Sequence, residues 1–386
     1  MSAPVSMLYA LNGVFHRAGT EAVVMHYYNH LDRQRFSIDF LLHGAPGEGE
    51  EDMHQYLLDH GSRLHYVTPR GVSYGKNREE LRALFAAHPY HIVHTHMNAA
   101  GTYVLSAAQQ AGVRVRVAHS HNTQHQIDTG SALKNAAYRL VLDHARRSIR
   151  QKSNVRLACS RDAGDWLFGP APYTVLHNGI QVEHFRYQED VRLDVRQALS
   201  LSEDTLVLGH VGRFVREKNQ AFLLDVLRVL LRKGVPAMLL LVGDGPLFSA
   251  TKERAVELGI QQQVSFLGNR EDVPRLLQAM DVFLLPSAFE GLGIAAVEAQ
   301  TAGLPTLVAD SVPGEVCVSS LAATLPLSSG EDAWAQAILS LSHQHPQRKD
   351  MVDAIRCAGY GVEENVRQLA AIYEAALQRE GCMHHG

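Results

Sequence analysis

Short runs rich in Val, Ile and Leu alternate with longer amphipathic stretches along almost the whole chain, and this alternation most restricts how it can fold. The runs at 5–11, 36–42, 91–94, 113–118 and 155–158 read as strands, followed by a second series at 205–210, 237–242, 264–267, 282–285 and 306–309. Between them, 20–31, 99–111, 131–149, 219–233, 247–258 and 294–302 carry helical patterning. Such alternation predicts βαβ units and parallel sheets covered by helices, an α/β fold. At roughly 150 residues per domain, the 386 residues suggest two domains. The cluster Gly169-Pro170-Ala171-Pro172 separates the two series and reads as a linker. The expected domains are therefore 1–172 and 173–360, each doubly wound, with an amphipathic helix at 361–378 able to pack back onto the first. Ligands of open α/β sheets lie beyond the carboxyl ends of the strands. Two such edges facing each other predict a deep cleft.

Composition removes several alternatives. The formal net charge is -4, with 20% charged residues, so nucleic acid is not an expected partner. Four scattered cysteines, Cys159, Cys317, Cys357 and Cys382, show no C-x-x-C spacing and fit a reducing compartment. No apolar run approaches the ~20 residues of a membrane span, and no secretory leader pattern opens the chain. A cytoplasmic location is expected. Peripheral contact with the anionic inner membrane face is a further expectation, because 131–152 carries Lys134, Arg139, Arg146, Arg147, Arg150 and Lys152 against Asp143 alone. The 22 histidines include the pairs His94–His96 and His119–His121, with His125 nearby. No cysteine or carboxylate accompanies them in a recognised ligand pattern, so no metal is expected.

Five loops at strand ends carry the chemistry. In Ser287-Ala288-Phe289-Glu290-Gly291-Leu292-Gly293-Ile294, continuing to Glu298-Ala299, a strand feeds a glycine loop that opens a helix. The free N–H groups and dipole at such a helix start favour an anionic ligand. Glu290 and Glu298 are eight positions apart, roughly 10–12 Å at ~1.5 Å per helical residue. A retaining-hydrolase carboxylate pair needs ~5 Å, so these two instead suit different parts of one long ligand. Gly209-His210-Val211-Gly212-Arg213, with Lys218, offers two cations for a diphosphate. Gly243-Asp244-Gly245-Pro246 resembles half of a dinucleotide fingerprint but lacks the third glycine and the ribose-binding acid, so it reads as structural rather than NAD-binding. In the first half, Phe15-His16-Arg17-Ala18-Gly19-Thr20-Glu21 joins strand to helix, with Thr20 as a candidate cap. His119-Ser120-His121-Asn122 follows another strand end and would point imidazoles into the cleft.

Taken together, these blocks resemble glycosyltransferase family 4, a group of retaining GT-B enzymes built from two Rossmann-like domains. The resemblance covers nearly the whole chain and is strongest to members that build bacterial exopolysaccharide, capsule or lipopolysaccharide. Glu290-Gly291-Leu292-Gly293 running to Glu298 matches the family's E-x7-E region. Gly212-Arg213 with Lys218 matches its diphosphate-binding pair, and His177-Asn178-Gly179-Ile180 matches a further block. The resemblance implies transfer of a sugar from a nucleotide-sugar, UDP-linked for preference, to a glycan or lipid-linked acceptor, with no cofactor or metal. It implies catalytic roles for Arg213, Lys218, Glu290 and His121. Donor contacts would come from Gly19, Thr20, Gly212, Gly268, Asn269, Arg270, Gly291, Leu292, Gly293, Ile294 and Glu298. His119 and Asn178 are second candidates. One departure is Ala18-Gly19 where the family often has two glycines. The alternatives are a GT-B sugar-nucleotide 2-epimerase, which the E-x7-E block disfavours, and a catalytically silent nucleotide-sugar-binding subunit.

Overall fold

The structure, a computed structural model, describes residues 3–12, 19–44, 51–122, 131–345 and 347–382. Two compact units result: Met1–Gly179 with Val362–Gly386, and Ile180–Gly361. Each is built on one sheet in which every strand pairing is parallel.

The first sheet comprises β1 (Val5–Ala10), β2 (Phe36–His43), β3 (Leu64–Val67), β4 (Ile92–Thr95), β5 (Val115–Ser120), β6 (Val155–Ala158) and β7 (Thr174–Val175), in the order β3-β2-β1-β4-β5-β6-β7. Its central strands are apolar on both faces, as helix-covered parallel strands must be. Met7, Leu8, Tyr9 and Ala10 of β1 are all fully buried. The terminal helix Val362–Cys382 adds Val362, Val366, Leu369 and Tyr373 to this core. Those positions fall on one helical stripe, which is why the sequence pattern at 361–378 is legible.

The second sheet comprises β8 (Leu206–Val211), β9 (Ala237–Val242), β10 (Val264–Gly268), β11 (Val282–Leu285), β12 (Thr306–Ala309) and β13 (Ala322–Leu325), in the order β10-β9-β8-β11-β12-β13. The helix Gln220–Arg232 covers it with Leu223, Leu224, Leu227 and Leu230, all fully buried. In both sheets the order reverses beside the first strand of the unit: between β1 and β4, and between β8 and β11. Those reversals are the places where an open parallel sheet leaves a crevice beyond its strand ends.

The expected linker needs correction. Gly169 follows the helix Arg161–Phe168 with a φ of 54°, and its N–H donates to Asp165 O at 2.9 Å. This is a glycine helix stop. The following strand β7 pairs with β6 of the first sheet, so the first unit runs on to Gly179 rather than ending at Pro172. A Gly/Pro cluster stops a helix and bends a linker by the same backbone chemistry, and local sequence does not separate the two.

Candidate active site

The strongest sequence motifs both emerge at the switch point of the second sheet. Gly212-Arg213 leaves β8, and Glu290 through Ile294 leaves β11, the strand beside it. A parallel register brings these carboxyl ends together although the motifs are far apart in sequence. Lys218 Nζ then meets Glu290 Oε1 at 2.5 Å. Glu290 also accepts from Ser287 Oγ at 2.7 Å, and Ala288 N–H donates to Glu217 O at 2.7 Å, which ties the two loops main chain to main chain. Lys218 and Glu290, expected to hold different parts of a ligand, are thus salt-bridged to each other. The Arg213 guanidinium, on the same loop as Lys218, is exposed and makes no ion pair or hydrogen bond among the described residues.

Gly293 starts the helix Ile294–Thr301 in the left-handed region, with a φ of 90°. A Cβ there would also press on Leu285 and Val312, at 3.1 and 3.2 Å. No side chain caps this helix, so its first N–H groups remain available to a ligand. Leu292 is buried and anchors the loop, while Gly291 and Ile294 are half-buried. Glu298 lies within the helix. It keeps part of its surface accessible, yet it is surrounded so densely by protein that lack of water pushes its carboxyl up to about 7.

Other expected residues differ in environment. Gly268 has a φ of 65° and accepts from Gly243 N–H at 2.8 Å, while Asn269 and Arg270 are exposed. Arg270 is held by Asp272 through two 2.7 Å hydrogen bonds. The Gly243–Pro246 turn packs tightly: a Cβ on Gly243 would stand 2.2 Å from Gly212 O. That close approach braces the Gly212-Arg213 loop.

Sequence reasoning assigned no role to Ser287 or His210. Ser287 is fully buried and orients Glu290; its place three residues ahead of that acid was the available signal. His210 is fully buried, bonds Leu284 O at 2.8 Å through Nδ1, and burial pulls its imidazole down to about 4. It is a neutral brace between β8 and β11.

In the first unit, residues 13–18, with His16, Arg17 and Ala18, lie outside the described residues, as does His125. The helix Gly19–His30 begins one residue earlier than expected, so Thr20 sits in its first turn rather than at its cap. His121 is 9% exposed; its N–H donates to Asn98 Oδ1 at 2.8 Å, and burial pulls its imidazole down to about 3. Its partner candidate His119 is wholly buried, which corrects the expectation that both imidazoles face a ligand. The alternating side-chain directions of a strand do not explain this, because both residues lie on one face; depth along the strand does. Asn178 lies in a turn held by Asn365 Nδ2, which donates to His177 O at 2.7 Å, and a Cβ on Gly179 would meet Val362 Cα at 2.7 Å. His177-Asn178-Gly179 thus seats the terminal helix.

Two doubly wound parallel sheets, with glycine-bounded loops at the second switch point, define an α/β protein of the GT-B type, with two Rossmann-like domains. Residues 17–184 match the family model Glycosyltransferase Family 4, and residues 191–357 match Glycosyl transferases group 1. The chain is 33% identical to the putative glycosyltransferase EpsF of Bacillus subtilis (strain 168), over 98% of this chain and 99% of that one. It is 27% identical to the UDP-Gal:alpha-D-GlcNAc-diphosphoundecaprenol alpha-1,3-galactosyltransferase of Escherichia coli, over 68% of this chain and 69% of that one. Among solved structures, Anabaena Alr3699/HepE in complex with UDP-glucose superimposes with a TM-score of 0.75 at 20% identity, covering 96% of this chain and 99% of that one. The chain belongs to glycosyltransferase family 4.

Proposed function

We propose that this glycosyltransferase is a retaining enzyme that takes a sugar from a nucleotide-sugar, UDP-linked for preference, and delivers it to a glycan or lipid-linked acceptor in cell-surface polysaccharide biosynthesis. The observation that carries the reading is the second switch point, where the loop of Arg213 and Lys218 is joined by the Lys218–Glu290 pair to the loop that opens an uncapped helix. Two similar proteins support the substrate class: HepE, which shares the fold, was crystallised with UDP-glucose, and the Escherichia coli relative is named for a UDP-galactose donor and a diphosphoundecaprenol-linked acceptor.

In this reading the bond from the sugar's anomeric carbon to the β-phosphate oxygen breaks, and the acceptor hydroxyl bonds to that carbon on the same face. The acceptor's proton passes to the departing phosphate, so no protein nucleophile is needed. Arg213 and Lys218 offset the charge that grows on the diphosphate, the contribution that counts most in the transition state. The helix start at Gly293 adds N–H groups toward the same charge. Glu290, steadied by Ser287 and Lys218, accepts from hydroxyls of the donor sugar. Glu298 bonds the ribose hydroxyls. His121 is the proposed ligand-facing residue of the first unit, because its buried Nδ1 has no partner among the described residues. No metal takes part in this scheme.

The helix Ala132–Lys152 is proposed as a contact with anionic membrane. Leu133, Leu140 and Val141 are 85%, 73% and 63% exposed, and basic residues flank them. No helix of the described residues is long and apolar enough to cross a membrane.

Incubating the protein with radiolabelled UDP-sugars, with and without lipid-linked acceptor extract, tests the reading. Transfer of label to the acceptor, with the anomeric configuration preserved, is the expected result. Epimerised donor without transfer would replace it with the epimerase reading, and binding without turnover with the silent-subunit reading.

A further inference from the structure

Beneath His121, the first unit holds a group of buried imidazoles that the transfer scheme does not use. His94 and His96 lie at the end of β4, and His119 and His121 at the end of the adjacent strand β5. His94 and His119 are wholly buried and His96 is 3% exposed. Each of these three can offer one ring nitrogen such that all three nitrogens lie within 4.8 Å of one another. Burial pulls all three imidazoles well below their usual range, which keeps them neutral, the form that ligates a metal.

Outer hydrogen bonds engage the Nδ1 atoms of His94 and His96. His94 Nδ1 is 2.6 Å from the Tyr373 hydroxyl, which is itself 3.1 Å from the Tyr9 hydroxyl. His96 Nδ1 is 2.9 Å from His121 Nε2. In the tautomer in which both Nδ1 atoms donate, the lone pairs of His94 and His96 sit on Nε2. This is how a neighbouring group sets the tautomer of a metal-ligating histidine. His96 Nε2 and His119 Nε2 are buried without a hydrogen-bond partner among the described residues. A bound ion would satisfy His96 Nε2, which neutral imidazoles meeting only one another leave without a partner. His94 Nε2 and His119 Nδ1 are 3.3 Å apart. That is long for a hydrogen bond, and it is close to the ~3.4 Å between two ligands of a tetrahedral ion bound at ~2.1 Å.

The geometry points to a three-imidazole site for a divalent metal of the zinc, cobalt or nickel type, formed by His94, His96 and His119 and oriented from outside by Tyr373 and His121. An all-imidazole set selects such ions over magnesium or calcium, which take oxygen ligands. The site would clamp the ends of β4 and β5, and through Tyr373 the terminal helix. It stands independently of the transferase reading.

The test uses the full, untagged chain, stripped with chelator and dialysed against Zn2+ or Co2+ in the presence of a competing chelator. A single tightly held equivalent is expected, with X-ray absorption showing three imidazole nitrogens, a solvent oxygen in the fourth position and no sulfur, and the Co2+ form showing tetrahedral visible bands; Mg2+ should give none of this. His94→Gln and His119→Asn should each lose that equivalent. Absence of a tight equivalent in the native chain overturns the proposal. So does a sulfur-containing shell, or metal retained undiminished in folded variants, either of which would put the ion elsewhere. If a variant fails to fold, the absorption spectrum of the native chain decides alone.

Discussion

Replacing Glu298 by glutamine should strengthen the second unit while weakening its hold on nucleotide, and the first effect should depend on pH. Glutamine keeps the shape and removes the charge. Surrounding protein raises the carboxyl from 4.5 to about 7. Below about pH 4.5 the group is neutral in folded and unfolded chains alike, and nothing is lost. As pH rises, the unfolded chain ionises first, and the stability of the native fold falls until the folded carboxyl has also ionised, above about pH 7. At ~1.4 kcal/mol per pH unit, the folded chain forgoes about 3 kcal/mol by pH 8. Glu298→Gln should recover up to that amount at pH 8 and almost none at pH 4. Urea unfolding followed by Trp334 gives the readout, because this buried tryptophan sits in the second unit and donates to Pro326 O at 3.1 Å. The other tryptophan, Trp166, belongs to the first unit and would be replaced by phenylalanine in both proteins. On the proposed ribose role, affinity for free UDP should drop ~10- to 100-fold in the same variant, the loss expected of a charge-assisted hydrogen bond. A stability gain that is absent, or equal at pH 4 and pH 8, would refute the idea of a carboxylate held short of water. Unchanged UDP affinity would refute the ribose contact.

Arg213→Ala and Lys218→Ala should each lower turnover by ~10²–10³-fold with the fold intact by circular dichroism, as expected for groups stabilising a leaving diphosphate; near-normal rates in both would remove that assignment. Gly243→Ala forces a methyl against Gly212 O, and overpacking of this kind costs ~1–3 kcal/mol. Its melting temperature should fall, and an unchanged value would mean that the Gly212-Arg213 loop has room to yield. Anionic vesicles at low salt should carry the wild-type chain upward in flotation, whereas Leu140→Glu with Val141→Glu should stay behind. Equal flotation of the two would take the helix Ala132–Lys152 out of the membrane contact.

Much of the frame was legible from local pattern. Strands such as 155–158, 237–242, 282–285 and 306–309 match the structure end to end, because parallel strands covered on both faces leave unbroken apolar runs. The elements that escaped were edge strands such as Leu64–Val67, with one buried residue, and Ala322–Leu325, with none, where the apolar signal thins. The motif at Ser287–Glu298 was legible because a glycine loop opening a helix has its own composition.

What the sequence determined by itself was therefore local: where strands and helices form, which loops are glycine-rich, and which charges stand on them. Only the tertiary structure decided which of those charges meet. The order β9-β8-β11 sets the Lys218 and Glu290 loops side by side, although the residues between them form most of the intervening domain. Likewise β4 beside β5 gathers His94, His96 and His119 and closes them off with Tyr373 from the far end of the chain. The raised carboxyl of Glu298 and the neutral imidazoles follow from how much water the packed fold removes. That quantity depends on long-range burial, and no spacing within a motif encodes it.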